Sequence, residues 1–394
     1  MNKNRICVIL AFFGFVQFIL AQKEVWNPIL SGAPGLSIVP DARAGGMGDL
    51  GAATSPDINS QFWNPSKYAF MESNAGVSVS YTPWLRKIVN DIDLSYVAGY
   101  YKLDDVQSLS GSFRYFSLGQ IALTGWNGEP LGSAQPYELA ADLAYARKLS
   151  EKFSMAVTFR FLYSDLNNGM GQTGSTGSYN MLPGWSLGAD VSAYYKTPIT
   201  TANGDANLSI GFNLSNLGSK ITYDEQIYNF IPTNMRLGIA YEIPMDEYNS
   251  FTVSAEANKY LVPTSYSKYA IGDYDEEDQY KMSPEQYSDL SVMKGLIWSF
   301  ADAPGGLKEE MQEVNWAVGM EYAYNKQFFV RAGYYNEHKD KGNRKFFTVG
   351  AGFKLSMFQL DAGYVISVAQ TNPLDQTLRF GLSFDMLGLN DLIN

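Results

Sequence analysis

The residues with the most evident chemical potential lie near the start of the chain. Gly46-Met47-Gly48-Asp49-Leu50-Gly51 is a formal G-x-G-x-x-G. Glu72 follows about 20 residues later, where a dinucleotide site would place its ribose-binding acid. That chemistry needs a buried strand before the glycines and a helix after them, so that the helix N-terminus meets the pyrophosphate. Pro40-Asp41 interrupts the chain on one side, and Pro56 and Asn64-Pro65 interrupt it on the other. A second such spacing, Gly169 to Gly174, sits in a Gly/Ser/Thr/Asn loop with no helix pattern after it. His338 is the single histidine, so neither a Ser-His-Asp triad with a second base nor a His/Cys zinc site can be assembled. The acidic run Asp273-Tyr274-Asp275-Glu276-Glu277-Asp278 lacks the glycine and ligand spacing of a calcium loop and reads as a solvated loop. The sequence gives no reason to expect an enzyme, a cofactor or a metal.

The glycines therefore serve a structure, and the ends of the chain indicate which kind. Two basic residues in MNKNR precede an apolar run of about fifteen residues, closed by Ile19-Leu20-Ala21. This is the layout of a secretory signal peptide (1–21), with cleavage between Ala21 and Gln22. The one cysteine, Cys7, lies within it, so the exported chain has neither a disulfide nor a lipid-attachment thiol. Removing Lys3 and Arg5 leaves 27 basic against 40 acidic side chains, a net charge near −13. That balance argues against nucleic acid as a partner, because such binding rests on phosphate neutralisation. After the signal, no stretch approaches the 18 apolar residues of a membrane helix. Yet Tyr (27), Phe (23) and Gly (36) are abundant and charged residues make up only 18%.

Alternation explains this composition. In 377–386, Leu378, Phe380, Leu382, Phe384 and Met386 share one face, and Thr377, Arg379, Gly381, Ser383 and Asp385 share the other. Charge confined to one face over about ten residues is the pattern of a lipid-facing barrel strand. It recurs in 153–163, 185–193, 234–242, 314–322 and 358–367. Fourteen strands result: 76–84, 91–103, 106–119, 136–149, 152–166, 184–196, 206–216, 233–244, 250–261, 313–325, 327–338, 343–356, 358–370 and 375–387. Connections after even-numbered strands are mostly brief. The longest (120–135, 167–183, 217–232 and 262–312) all follow odd-numbered strands. Outer-membrane barrels sort their loops in this way, with short turns on the periplasmic side. The expectation is an all-β, 14-stranded antiparallel transmembrane β-barrel (76–387) in the outer membrane of a Gram-negative bacterium. It is preceded by a 22–75 segment and followed by a 388–394 tail. Arg160, Arg236, Arg331, Lys354 and Arg379 face the lumen with Asp142, Asp190, Glu256, Glu321 and Asp361, and must be paired or hydrated.

Against this background residues 41–66 acquire a second reading. A glycine-rich stretch and an Asn-Pro motif ahead of a fourteen-stranded barrel resemble the long-chain fatty-acid transporter (FadL-like) family. In that family the segment is a hatch that plugs the lumen. The matching positions are Gly46, Met47 and Gly48, then Asn64, Pro65 and Ser66, where an alanine is more typical. Arg43, Asp57 and Trp63 complete the candidate hatch, and Asp41, Arg43, Asp49 and Asp57 are expected to pair with lumen charges. A closer resemblance spans most of the exported chain. Residues 27–71, YTPWLRKIVNDIDLSY (81–96), SFRYFSLG (112–119), NLSIGFNLSNLGSKITYD (207–224) and FIPTNMRLG (230–238) are similar to the PorV family, barrels of the type IX secretion system.

That resemblance implies a non-enzymatic shuttle in the lipid bilayer. Its partners would be the translocon barrel, the C-terminal signal domains of cargo, and the attachment complex containing a PorU-type sortase. A plugged barrel must bind cargo with its outer loops. Candidate contacts are Trp84 and Leu85, and in 262–312 Tyr266, Tyr269 and Trp298, with Tyr274, Tyr280 and Tyr287 beside them. The competing function is transport of hydrophobic small molecules such as fatty acids, which requires an apolar pocket above the hatch. The inward positions are polar or glycine, which favours the shuttle.

Overall fold

The architecture was analysed in a computed structural model that describes residues 26–86, 89–124, 127–168, 182–201, 204–270, 281–368 and 374–386. The cleavage position Ala21/Gln22, the acidic run 273–278, the second glycine motif, Tyr274, Tyr280 and the 388–394 tail lie outside them. Period-two alternation produces fourteen antiparallel barrel strands. They are β1 (Ala75–Pro83), β2 (Ile92–Lys102), β3 (Gln107–Leu118), β4 (Tyr137–Ser150), β5 (Phe153–Asp165), β6 (Gly184–Thr201) and β7 (Gly204–Gly218), followed by β8 (Asn234–Pro244), β9 (Asn249–Tyr260), β10 (Asn315–Tyr324), β11 (Phe328–Asn336), β12 (Lys345–Leu355), β13 (Phe358–Ser367) and β14 (Leu378–Asp385). Each pairs with its neighbours in sequence, and β14 closes on β1 through registers such as Val79↔Leu382. Closure removes the exposed edges that a bilayer could not satisfy.

The alternation resolves into two chemistries. Phe159, Trp185, Leu187, Leu237, Ile239 and Phe380 point outward and are exposed, while Arg160, Arg236 and Arg379 between them are buried. Connections after even-numbered strands span two to four residues (103–106, 151–152, 202–203, 245–248, 325–327, 356–357); those after odd-numbered strands span eight to 54. The parity is stricter than the sequence indicates. The strands expected at 184–196 and 206–216 leave a connection of 197–205. Instead Pro198 sits opposite Asn207, and the strands run on to Thr201 and Gly204. No helix among the described residues is long and apolar enough to cross a membrane.

Two features escaped the alternation argument. Short ribbons, Ile121–Thr124 with Pro130–Ala134 and Ile221–Thr222 with Tyr228–Asn229, stand on the long connections. Among its described residues, the connection 261–314 carries three short helices, Pro284–Asp289, Val292–Trp298 and Leu307–Gln312. The first starts with a capping box, in which Ser283 Oγ accepts from the Gln286 amide and the Gln286 side chain accepts from the Ser283 amide.

Candidate functional site

Residues 33–71 lie inside the barrel, buried for most of their length. The chain from 33 to 71 has little regular structure: two single-turn helices, Ala42–Gly45 and Ser60–Trp63, and 3-10 turns at Pro34–Ser37 and Pro65–Phe70. Its amides and carbonyls must therefore find side-chain partners, and the inward face supplies them. Glu256 Oε2 accepts from the amides of Gly51 (2.9 Å) and Ala52 (2.8 Å). Glu138 accepts from Gly35 N–H at 2.9 Å, and Arg114 donates to Gly35 O at 2.6 Å. Thr348 Oγ1 accepts from Gly48 N–H at 2.8 Å. Nearer the short-turn end, Ser154 donates to Ser66 O at 2.7 Å and Asn64 donates to Ala193 O at 2.9 Å.

Charge holds the same segment. Arg43 donates to both carboxylate oxygens of Glu321 (2.9 and 3.2 Å), to Asp57 (2.7 Å) and to Ser55 Oγ (2.6 Å). Glu321 is shared with Arg331 (2.6 Å), which also reaches Asp361 at 2.6 Å. Arg379 pairs with Asp49. Across the lumen, Arg160 bridges Asp142 (3.2 Å) and Asp190 (2.9 Å), and Arg236 meets Glu256 at 3.4 Å. Every charge placed in the lumen by sequence thus has a partner, Lys354 finding Asp385 at 3.4 Å. Two of the four segment charges behave otherwise than expected. Asp57 pairs with Arg43 of its own segment, and Asp41 caps the Ala42–Gly45 turn, accepting from Ala44 N–H at 2.8 Å and Trp63 Nε1 at 2.6 Å. A carboxylate at an N-cap already has its donors nearby and needs no lumen cation.

The motif glycines find their reason here. Gly48 adopts φ +82°, and a Cβ there would lie 2.9 Å from the Tyr334 backbone. Met47 is buried with Leu50, Ala317, Tyr335 and Phe346. Trp63 is buried beneath the Arg236 guanidinium, 4.7 Å from its ring. Asn64 and Pro65 open the Pro65–Phe70 turn, Asn64 Oδ1 accepting from Ser66 N–H at 3.2 Å. Lys67, which belongs to no motif in the sequence, is fully buried and donates to Gly51 O at 2.9 Å and Thr54 Oγ1 at 3.1 Å. Replacing Arg43 by alanine leaves Glu321 and Asp57 short of their shared cation. The expected result is a loosened segment and faster influx of small solutes, measured in liposomes. Unchanged permeability would count against an anchoring role for Arg43.

The outer-loop aromatics are less available than their sequence positions imply. Trp84 packs against the buried Ile38, Leu94 and Phe116, and Leu85 against the cluster around Met47. Tyr269 stacks on Trp298 with ring centroids 4.4 Å apart, and Lys294 lies over Trp298. Tyr266 is half-buried, and its main chain bonds both ends of the Asn27 side chain. Among the described residues of the 261–314 connection, the most exposed apolar side chains are others. Met293 and Ile297 form one i,i+4 pair and Leu307 and Met311 a second, all more than 60% exposed. His338 caps the Lys339–Lys341 turn, its Nδ1 accepting from Asp340 N–H at 3.3 Å.

A closed fourteen-stranded barrel with an apolar belt, a charged lumen and sorted connections is an outer-membrane protein. Solved structures give its fold. A deletion mutant of the TodX monoaromatic hydrocarbon channel superposes with a TM-score of 0.52 at 12% identity, covering 87% of this chain and 98% of that one. The toluene transporter TodX of P. putida gives 0.50 at 10% identity, covering 88% and 98%. A Pseudomonas aeruginosa FadL homologue gives 0.45 at 13%, covering 91% and 99%. No curated protein sequence matches the chain. Residues 21–267 match the family described as type IX secretion system protein PorV, and the chain belongs to that family. It is therefore an outer-membrane component of the type IX secretion system.

Proposed function

We propose that the chain works through its outer surface, as a non-catalytic carrier. It takes up the C-terminal signal domain of secreted cargo at the end bearing the long connections. It then passes the cargo from the translocon barrel to the attachment complex and its sortase. The observation that supports this reading most is the state of the lumen. Among the described residues, the interior space bounded by Phe62, Arg114, Asp142, Arg160 and Arg236 has a volume of about 20 Å³. That accommodates a water molecule, whereas small-molecule pockets occupy roughly 300–1,000 Å³ with mostly apolar walls. Its walls carry three arginines and an aspartate. With residues 33–69 filling the barrel, the alternative reading, transport of a hydrophobic small molecule, needs a path that this packing blocks.

The exposed pairs Met293/Ile297 and Leu307/Met311 are the strongest candidates for cargo contact. Photocrosslinkers at these four positions are expected to capture cargo signal domains, and at Trp84 or Trp298 to capture little. Copurification of a bound apolar molecule, no crosslinks to cargo and normal secretion after deletion would together overturn the proposal in favour of transport.

A further inference from the structure

Beneath the outer end of the barrel lies an acidic cluster that the secretion role does not use. Asp302 precedes the Leu307–Gln312 helix, Glu310 lies within it and Glu313 follows it; all three are buried. One oxygen from each lies within 4.8 Å of the others. That is the largest separation two oxygens have on a calcium ion that each touches at about 2.4 Å.

Two further observations point to a ligand. Asp302 is fully buried, and while its Oδ2 accepts from Thr264 N–H at 2.9 Å, its Oδ1 has no hydrogen-bond partner. An enclosed carboxylate oxygen of this kind is costly unless something positive meets it. The charge balance says the same. Asp302, Glu309, Glu310 and Glu313 face two ammonium groups, Lys259 (3.0 Å from Glu310, and paired with Glu313) and Lys341 (2.6 Å from Glu309, 2.9 Å from Glu313). Four carboxylates against two cations leave two negative charges under a folded loop.

We propose that Asp302, Glu310 and Glu313 bind a divalent cation of the calcium type, which neutralises this surplus and fixes the outer cap. Oxygen-only donors exclude the softer metals, and an irregular carboxylate set suits calcium better than the strict octahedron of magnesium. The site ties together three parts of the chain. Glu309 accepts from Asn27 at 3.0 Å, Thr264 donates to Asn27 Oδ1 at 2.7 Å, and Lys341 belongs to the β11–β12 connection. Calcium thereby joins the start of the lumen segment to two outer connections.

The test uses the full chain in detergent, stripped with EDTA and titrated with CaCl2 by calorimetry and with Tb3+ by luminescence. One saturable site is expected, with a Kd of about 0.1–1 mM and a calcium-dependent rise in Tm. Asp302→Asn keeps an acceptor for Thr264 N–H but is expected to weaken binding roughly tenfold or more and to abolish the Tm response. A second variant, with the acidic residues of 273–278 changed to amides, is expected to bind like the unmodified chain. No saturable binding, unchanged binding by Asp302→Asn, or loss of binding in the 273–278 variant alone would each overturn the assignment.

Discussion

Glu321→Ala is expected to destabilise the folded barrel by about 3–5 kcal/mol, the cost of breaking a buried ion network at its shared member. Glu321 joins two arginines on different elements: Arg43 of the lumen segment and Arg331 of β11. All three side chains are at least nine-tenths buried, so water does not replace what is removed. Arg331 keeps Asp361, and Arg43 keeps Asp57, but each loses a close, charge-assisted bond. The exposed comparison is Lys354–Asp385, where Lys354 is 35% accessible and water screens the pair. Lys354→Ala is expected to cost about 0–1 kcal/mol. Heat-modifiable gel mobility in detergent measures both, and equal shifts in the two variants would show that the Glu321 network is not an anchor. Glu321→Gln, which keeps the shape and loses the charge, is expected to fall between them.

Why the sequence revealed so much of the barrel follows from the bilayer itself. A strand between lipid and an aqueous or polar lumen must alternate at every step, so Leu378 to Met386 announces its own faces, and repetition excludes chance. Both signals are local in sequence, and so is the loop parity. What was not legible depends on distance. Nothing around Glu256 indicates that it would hold the amides of Gly51 and Ala52, some 200 positions away. Asp41 looks like a lumen charge by type, yet its neighbours claim it as a cap. Tyr269 and Trp298 look like contact residues because aromatics in loops often are. Each found the other instead, leaving Met293, Ile297, Leu307 and Met311 outside. The Asp302 cluster has no motif spacing, since Thr264 from the start of the connection and Lys259 from β9 complete it.

Gly211→Ala combined with Gly333→Ala is expected to expel the lumen segment while leaving the barrel closed. Both glycines face inward at places where the segment's backbone, not a movable side chain, meets the wall. A Cβ at Gly211 would stand 1.8 Å from Ala52 O, and one at Gly333 would stand 2.1 Å from Met47 C and 2.2 Å from Gly48 N. No rotamer relieves such contacts, so the segment must move by about an ångström or more, and the amides held by Glu256 and Thr348 lose their acceptors. Each single substitution is expected to cost about 1–3 kcal/mol as overpacking, and the pair more, because the two contacts hold one short stretch near its two ends, at Met47-Gly48 and at Ala52. Strand pairing should persist, since the atoms nearest each added methyl group belong to the lumen segment and not to the neighbouring strands. Gly188→Ala is the control: its Cβ would make ordinary contact at 3.7 Å and should change nothing. The double variant should retain heat-modifiable mobility, admit small solutes into liposomes and expose residues 42–53 to protease. A variant that stays sealed and protected would show that the glycine girdle does not fix the segment. A variant that opens and begins to pass hydrophobic molecules would show that this packing is what keeps the lumen closed to them.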